Sequence, residues 1–180
     1  PLGNKDPEFQ DALYRGKWRE AYQILNSTND FPEFTGRICP ALCEKSCVLK
    51  LSCNEPVTIR ENEAAIAEAA FREGYITPLQ PERNGKKVAV IGAGPAGLSV
   101  AVRLNAKGYE VTLFDSKPMP GGLLRYGIPN FKLDKAVIDR RMKILKAEGI
   151  LFKMGVHVDV QKLPAGFDAY AICTGTPTAR

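Results

Sequence analysis

A chain of 180 residues with 44% hydrophobic content can hold one medium domain, or a small domain joined to a partial one, with a real core. Its net charge of +5 is spread among 20 acids and 25 bases without a dense basic block, which argues against nucleic acid as a partner and leaves room for a basic docking face toward an acidic protein. No apolar run approaches the roughly twenty residues that span a bilayer, and the N-terminus, with Lys5, Asp6 and Glu8, lacks a signal-peptide core, so a cytoplasmic protein with no membrane partner is expected.

Pro7 to Asn26 reads as two short helices broken near Gly16. Phe9 with Leu13, then Trp18 with Ala21, Tyr22 and Leu25, recur at helical spacing and predict a core stripe that includes Trp18. Phe31-Pro32-Glu33-Phe34-Thr35-Gly36 has no sustained period and predicts a loop or a single turn. Cys39, Cys43, Cys47 and Cys53 then fall within fifteen residues, while Cys173 stands alone. Such crowding in a cytosolic chain points to metal rather than disulfides, with reduced buried thiols or a four-cysteine zinc site as alternatives. Neither paired C-x2-C knuckles nor a C-x2-C-x2-C run is present, so these residues alone leave the metal open. Thr58 and Glu61 have the spacing of a capping box that opens an Ala-rich helix through Ile66, Ala70 and Phe71 to Gly74. In its first turn Glu63 reads as a solvated complement to the helix dipole. Tyr75 to Lys86, with Pro78, Pro81 and Gly85, reads as a linker that contains the domain boundary.

Lys86 to Asp115 is a βαβ unit in outline: the apolar run Val88 to Ile91, the turn Gly92-Ala93-Gly94-Pro95-Ala96-Gly97, a helix to Lys107-Gly108, and a second strand from Glu110 to Phe114. Pro95 suits a first helical position, where its missing N–H costs nothing. Gly92 permits the sharp turn, Gly94 lets backbone approach a pyrophosphate, and Gly97 lets the helix pack closely, with the helix N–H groups facing the anion. Asp115, 23 residues after Gly92, is placed to take both hydroxyls of an adenosine ribose, and it is a poor neighbour for a 2′-phosphate.

Ser116 to Pro120 forms a loop to Gly121-Gly122-Leu123, after which Asp134 caps a helix with Val137, Ile138, Met142 and Leu145 inward and a stop at Gly149. Strands are expected at Ile150 to Lys153, at Val156 to Val158 and at Ala169 to Cys173, the last followed by a turn at Thr174-Gly175-Thr176-Pro177. His157, the single histidine, alternates with valines and reads as a surface or edge residue. No Ser/His/Asp or paired-carboxylate arrangement is visible. Both ends look cut, so the chain is expected to be a piece of a longer protein.

The stretches PEFTGRICPALCEKSC (Pro32 to Cys47), EPVTIRENEAAIAEAAF (Glu55 to Phe71), VAVIGAGPAGL (Val88 to Leu98) and GGLLRYGIPNFKL (Gly121 to Leu133) together resemble one family. It is that of the small (beta) subunit of NADPH-dependent glutamate synthase and related FAD/iron–sulfur oxidoreductases. The resemblance implies an α-helical iron–sulfur domain (1–77), a linker (78–86) and the first part of an α/β Rossmann-like FAD-binding domain (87–180). It implies [4Fe-4S] clusters with Cys39, Cys43 and Glu63 serving one and Cys47 the other, Glu63 thereby changing from dipole complement to ligand. Cys53 departs from the pattern and reads as a spare thiol. Pro1-Leu2-Gly3-Asn4 resembles the sequence after a cysteine that supplies further ligands upstream, so the ligand sets are expected to be incomplete in this chain.

For FAD the resemblance implies Gly92, Ala93, Gly94, Pro95, Ala96, Gly97 and Asp115 at the adenine half, with Val158 backbone facing the adenine. Gly122, Leu123 and Lys132 belong at the flavin end, where a cation could stabilise the anionic reduced flavin, and Thr174-Gly175 closes over the cofactor. The intact protein is expected to pass electrons from NAD(P)H through FAD and the clusters to a large glutamate synthase-type subunit, or to another acceptor such as ferredoxin; the 180 residues alone are expected to be inactive. A flavin subunit of NADH-dependent ferredoxin:NADP oxidoreductase, or a non-enzymatic electron-transfer or interaction module, are the alternatives.

Overall fold

The computed structural model describes residues 3–176; Pro1, Leu2 and Pro177, which enter the readings above, lie outside the described residues. It divides into two compact units, one ending at Ile76 and one starting at Thr77.

The first unit contains α1 (Asp6–Tyr14), α2 (Trp18–Thr28), α3 (Pro32–Ile38), α4 (Leu42–Lys45), α5 (Leu49–Ser52) and α6 (Ile59–Arg72). α1 stops because Gly16 adopts φ +70°, which lets Lys17 N donate to Ala12 O and Gly16 N to Leu13 O, both at 2.9 Å. The stripes of α1, α2 and α6 then meet in a core of Phe9, Ala12, Ala21, Tyr22, Leu25, Ile66 and Ala70. Trp18 is not part of it. It is the first residue of α2 and is 39% exposed, because helix side chains lean toward the N-terminus and one at the first position projects past the end of the stack.

Residues 31–36 are largely helical, not a loop. α3 forms because Pro32 starts it and because Gly36 crosses α6 so closely that a Cβ would lie 2.7 Å from Ala64 N. The Thr58 side chain makes no cap hydrogen bond; instead Glu44 Oε1, from α4, accepts from Arg60 N at 2.9 Å and serves one of the orphan donors of α6.

The second unit contains β1 (Lys87–Ile91), α7 (Pro95–Ala106), β2 (Glu110–Asp115), α8 (Leu123–Tyr126), α9 (Lys135–Ala147), β3 (Leu151–Met154) and β4 (Ala169–Ile172). Its sheet is parallel throughout, in the order β3-β2-β1-β4. Ile91 pairs with both Phe114 and Ile172, so the C-terminal ends of three strands lie side by side. α9 is capped as expected, Asp134 Oδ1 accepting from Ala136 N at 2.9 Å. Val156 to Val158 is not a strand. After Val156 N donates to Asp115 O, the chain leaves the ladder and lays Val158, Leu163 and Phe167 over Ala89, Ile91 and Phe114. Alternating valines suit a covering loop with one apolar side as well as a ladder.

Residues 77–86 are tied to this unit. Arg83 donates to Asn105 Oδ1 at 2.7 Å and to the carbonyls of Tyr109 and Glu148, each at 2.8 Å, and Asn84 N donates to Gly108 O at 3.0 Å. Leu79 N donates to Glu148 Oε1 at 3.2 Å. Burial pushes the Glu148 carboxyl above its ordinary value, outweighing the Leu79 N–H and the charge of Arg141. A carboxyl raised in the folded state contributes stability below its unfolded pKa and loses it as pH rises through the folded pKa. Glu148→Gln keeps an acceptor for Leu79 and removes the buried charge. It is expected to melt higher than the parent at pH 7, with the difference shrinking toward pH 4; thermal melts across that range check it, and a parent that is the more stable at pH 7 contradicts it.

Candidate cofactor-binding site

The turn after β1 is shaped by three glycines. Gly92 has φ +108°, and a Cβ there would lie 2.2 Å from Cys173 O; a Cβ on Gly97 would lie 1.8 Å from Gly92 O. These contacts draw β1, β4 and the start of α7 together. Around Gly94 the space is open, Gly122 Cα at 3.9 Å being the nearest atom to a Cβ built there, and Pro95 and Ala96 are exposed. The first-turn N–H groups of the twelve-residue α7 therefore face an accessible cradle that a side chain on Gly94 would fill.

Asp115, at the end of β2, is oriented by backbone: Oδ2 accepts from Ala93 N at 2.7 Å and Oδ1 from Lys117 N at 2.9 Å. A carboxylate has about four acceptor positions, so each oxygen retains one for a ligand hydroxyl. Beside it is a cavity of about 290 Å³ whose lining includes Gly92, Asp115, His157, Val158 and Thr174. That volume suits the adenosine half of a dinucleotide rather than all of it. His157 is exposed and lines this cavity.

A second glycine turn packs on the first. Gly121 N donates to Ala93 O at 2.8 Å, and a Cβ on Gly122, which has φ +50°, would lie 2.7 Å from Gly94 Cα. Leu123 follows, 74% exposed at the start of α8. Lys132 is exposed on a turn closed by its own N–H to Pro129 O at 3.0 Å, and Gly175, with φ +71°, is exposed beyond β4. Thus the fold gathers Gly92 to Gly97, Asp115, Gly122, Val158 and Thr174 at one end of the sheet, with Leu123 opening the adjoining helix.

Sequence reading missed the residues behind the second turn. Lys135 Nζ donates to the carbonyls of Leu124 (3.0 Å), Ile128 (2.5 Å) and Leu133 (3.2 Å). Arg125 Nε donates to Pro120 O at 2.8 Å, and its guanidinium pairs with Asp139. A lysine just inside a helix start carries no sequence signal of this kind.

In the first unit, Ala41 N donates to Cys39 Sγ at 3.4 Å and Val57 N to Cys47 Sγ at 3.5 Å. Such N–H bonds suit thiolate ligands and are one of the settings of cluster potential. Cys43 is exposed, and the Cys53 thiol is turned toward Leu49 O at 3.1 Å. Burial, then repulsion by Asp6 and Glu44, raises Glu63 from 4.5 to about 7, so ligation by it requires loss of a proton near neutral pH. Among the described residues no three of His, Cys, Asp and Glu form a metal-holding group, and these side chains alone close no cluster site. In the second unit, by contrast, the open cradle at Gly94 and the preset Asp115 fit a dinucleotide.

Residues 1–75 match the family described as dihydropyrimidine dehydrogenase domain II, 4Fe-4S cluster, and residues 90–154 match the NAD(P)-binding Rossmann-like domain family. The chain is 48% identical over 185 residues to a glutamate synthase [NADPH] small chain of Bacillus subtilis, covering 100% of this chain and 37% of that protein. Its Mycobacterium tuberculosis counterpart is 47% identical, with 100% and 38% covered. A glutamate synthase [NADH] of Schizosaccharomyces pombe is 43% identical over 187 residues, 100% of this chain and 9% of that protein. The chain therefore spans well under half the length of these curated relatives.

Proposed function

We propose, from the likeness to glutamate synthase small chains and the two family matches, that the chain carries the cluster-ligand stretch and the FAD cradle of an NAD(P)H-oxidising protein. The observation that carries the FAD assignment is the second glycine turn seated on the first, Gly122 against Gly94. It extends the dinucleotide cradle beyond the ADP half that FAD and nicotinamide nucleotides share.

In this reading the N-terminus of α7 and the Gly94 backbone hold the pyrophosphate, while Asp115 accepts the ribose hydroxyls. Val158 and Thr174 bound the adenosine cavity. Gly122, Leu123 and Lys132 address the flavin end, and Gly175 closes the turn after β4. FAD, when bound, supplies the exchange between two-electron nicotinamide chemistry and single-electron carriers. Cys39, Cys43 and Glu63 are assigned to one [4Fe-4S] cluster and Cys47 to another, as the ligands this stretch supplies. We assign residues 1–77 and 87–180 to the two functions, with 78–86 between them.

The electron-accepting partner is inferred to be the large chain of glutamate synthase. The name "small chain" of the bacterial relatives supports this, as does the Schizosaccharomyces pombe protein, in which a matching stretch is only 9% of one long polypeptide. All five cysteines are free, which supports a reducing, cytoplasmic setting; no described helix is long and apolar enough to cross a membrane. Anaerobic mixing of the whole gene product with NADPH or NADH, followed at the flavin absorption band, tests the reading. Bleaching by one of the two nucleotides is expected; a flavin that neither reduces overturns it.

A further inference from the structure

We propose that Lys135 is a positioning residue that sets the flavin-side half of the cofactor site, an inference that rests on the FAD assignment above. α8 is only four residues long, so its carbonyls and those of the following loop have few helical partners. Three of them, from Leu124, Ile128 and Leu133, converge on Lys135 Nζ at 3.0, 2.5 and 3.2 Å. An ammonium has three N–H donors and no acceptor, so this side chain is fully committed to fixing the loop at three points.

The other side of the same loop rests on the phosphate turn, through Gly121 N to Ala93 O at 2.8 Å and the contact of Gly122 with Gly94. Arg125 adds a tie between Pro120 O and Asp139 of α9. The loop is thus clamped between the cradle and the start of α9. Leu123 lies just before the first clamped carbonyl, and Lys132 lies between the second and third. The position of both relative to Gly94 follows from where Lys135 holds the backbone. None of the clamped carbonyls belongs to the residues that line the adenosine cavity. Lys135 therefore acts on one half of the dinucleotide and not on the other.

The test compares FAD with ADP, which uses the adenine half alone. The whole gene product, freed of flavin, is titrated with each nucleotide by calorimetry, as the parent and as Lys135→Met, which keeps the apolar stem and removes all three donors. For Lys135→Met the FAD dissociation constant is expected to rise at least about tenfold while that for ADP stays within about twofold. Lys135→Gln, which retains an amide donor group, should fall between parent and Met. Unchanged FAD affinity in Lys135→Met overturns the proposal. Equal loosening of FAD and ADP in both variants also overturns it, because it reduces Lys135 to a stability residue. A parent that binds ADP but not FAD overturns the FAD assignment itself, and this inference with it.

Discussion

Gly97→Ala is expected to destabilise the second unit by about 3 kcal/mol, the upper range for overpacking a site that cannot relax. The added methyl would lie 1.8 Å from Gly92 O and 3.0 Å from Gly92 C, and 3.4 Å from Cys173 Cβ. The two nearest atoms are backbone. Gly92 cannot withdraw, because its N–H is held by Phe114 O at 2.7 Å and its own Cα side is against Cys173 O. α7 must therefore tilt away from β1 and β4, and the N–H groups of its first turn leave the cradle with it. For a unit of about a hundred residues this corresponds to a fall in Tm of roughly 12–24 °C. Thermal melts by circular dichroism check it; a variant that melts within a few degrees of the parent would show that the close helix approach carries little energy.

Asp115→Ala is expected to weaken FAD binding about a hundredfold, equivalent to about 2.7 kcal/mol. Two losses combine. The fully buried Ala93 loses the acceptor for its N–H, at 2.7 Å in the parent, and an orphaned buried donor costs about 1–3 kcal/mol. The ribose hydroxyls lose a charged acceptor at the same time. Asp115→Asn separates the two losses, since its amide oxygen can still accept from Ala93 N while the charge is gone, and about tenfold weakening is expected for it. Fluorescence-quenching titration with FAD measures both. Parent-like affinity in Asp115→Ala would remove the acid from the ribose site.

The dinucleotide turn was legible in the sequence because each of its requirements is local. A positive φ at Gly92 and a helix packed within van der Waals contact of a carbonyl at Gly97 can be met only by residues without a side chain, and the order strand, turn, helix, strand, acid fixes which glycine does which. What depends on partners distant in the chain was not legible. α3 has too few residues to show a helical period, and it exists because Gly36 lets it lie against Ala64 of α6. The Thr58–Glu61 spacing predicted a local cap, but Glu44 from another helix reaches Arg60 N first. Trp18 shares the spacing of the core stripe, yet periodicity gives a direction around the helix and not how far the neighbouring helices extend along it. Lys135 could not be found from sequence at all, since its meaning is the convergence of three carbonyls from a loop with no regular repeat.

The placement of β1 has a consequence for how the chain is made. Its partner β2 follows within a single helix, Val88 pairing with Val111, but its other neighbour is β4, and Val88 meets Ala169 across 81 residues. At the usual synthesis rates of 5–20 residues per second, the β4-facing edge of β1 waits about 4–16 s before its mate has emerged. During that interval a run of Val88, Ala89, Val90 and Ile91 has open N–H and C=O groups along one side, the feature that recruits foreign strands. The first unit ends at Ile76, so its residues are all made before β4 is. The edge of β1 that faces β4 is therefore the one to be shielded while the chain is being made.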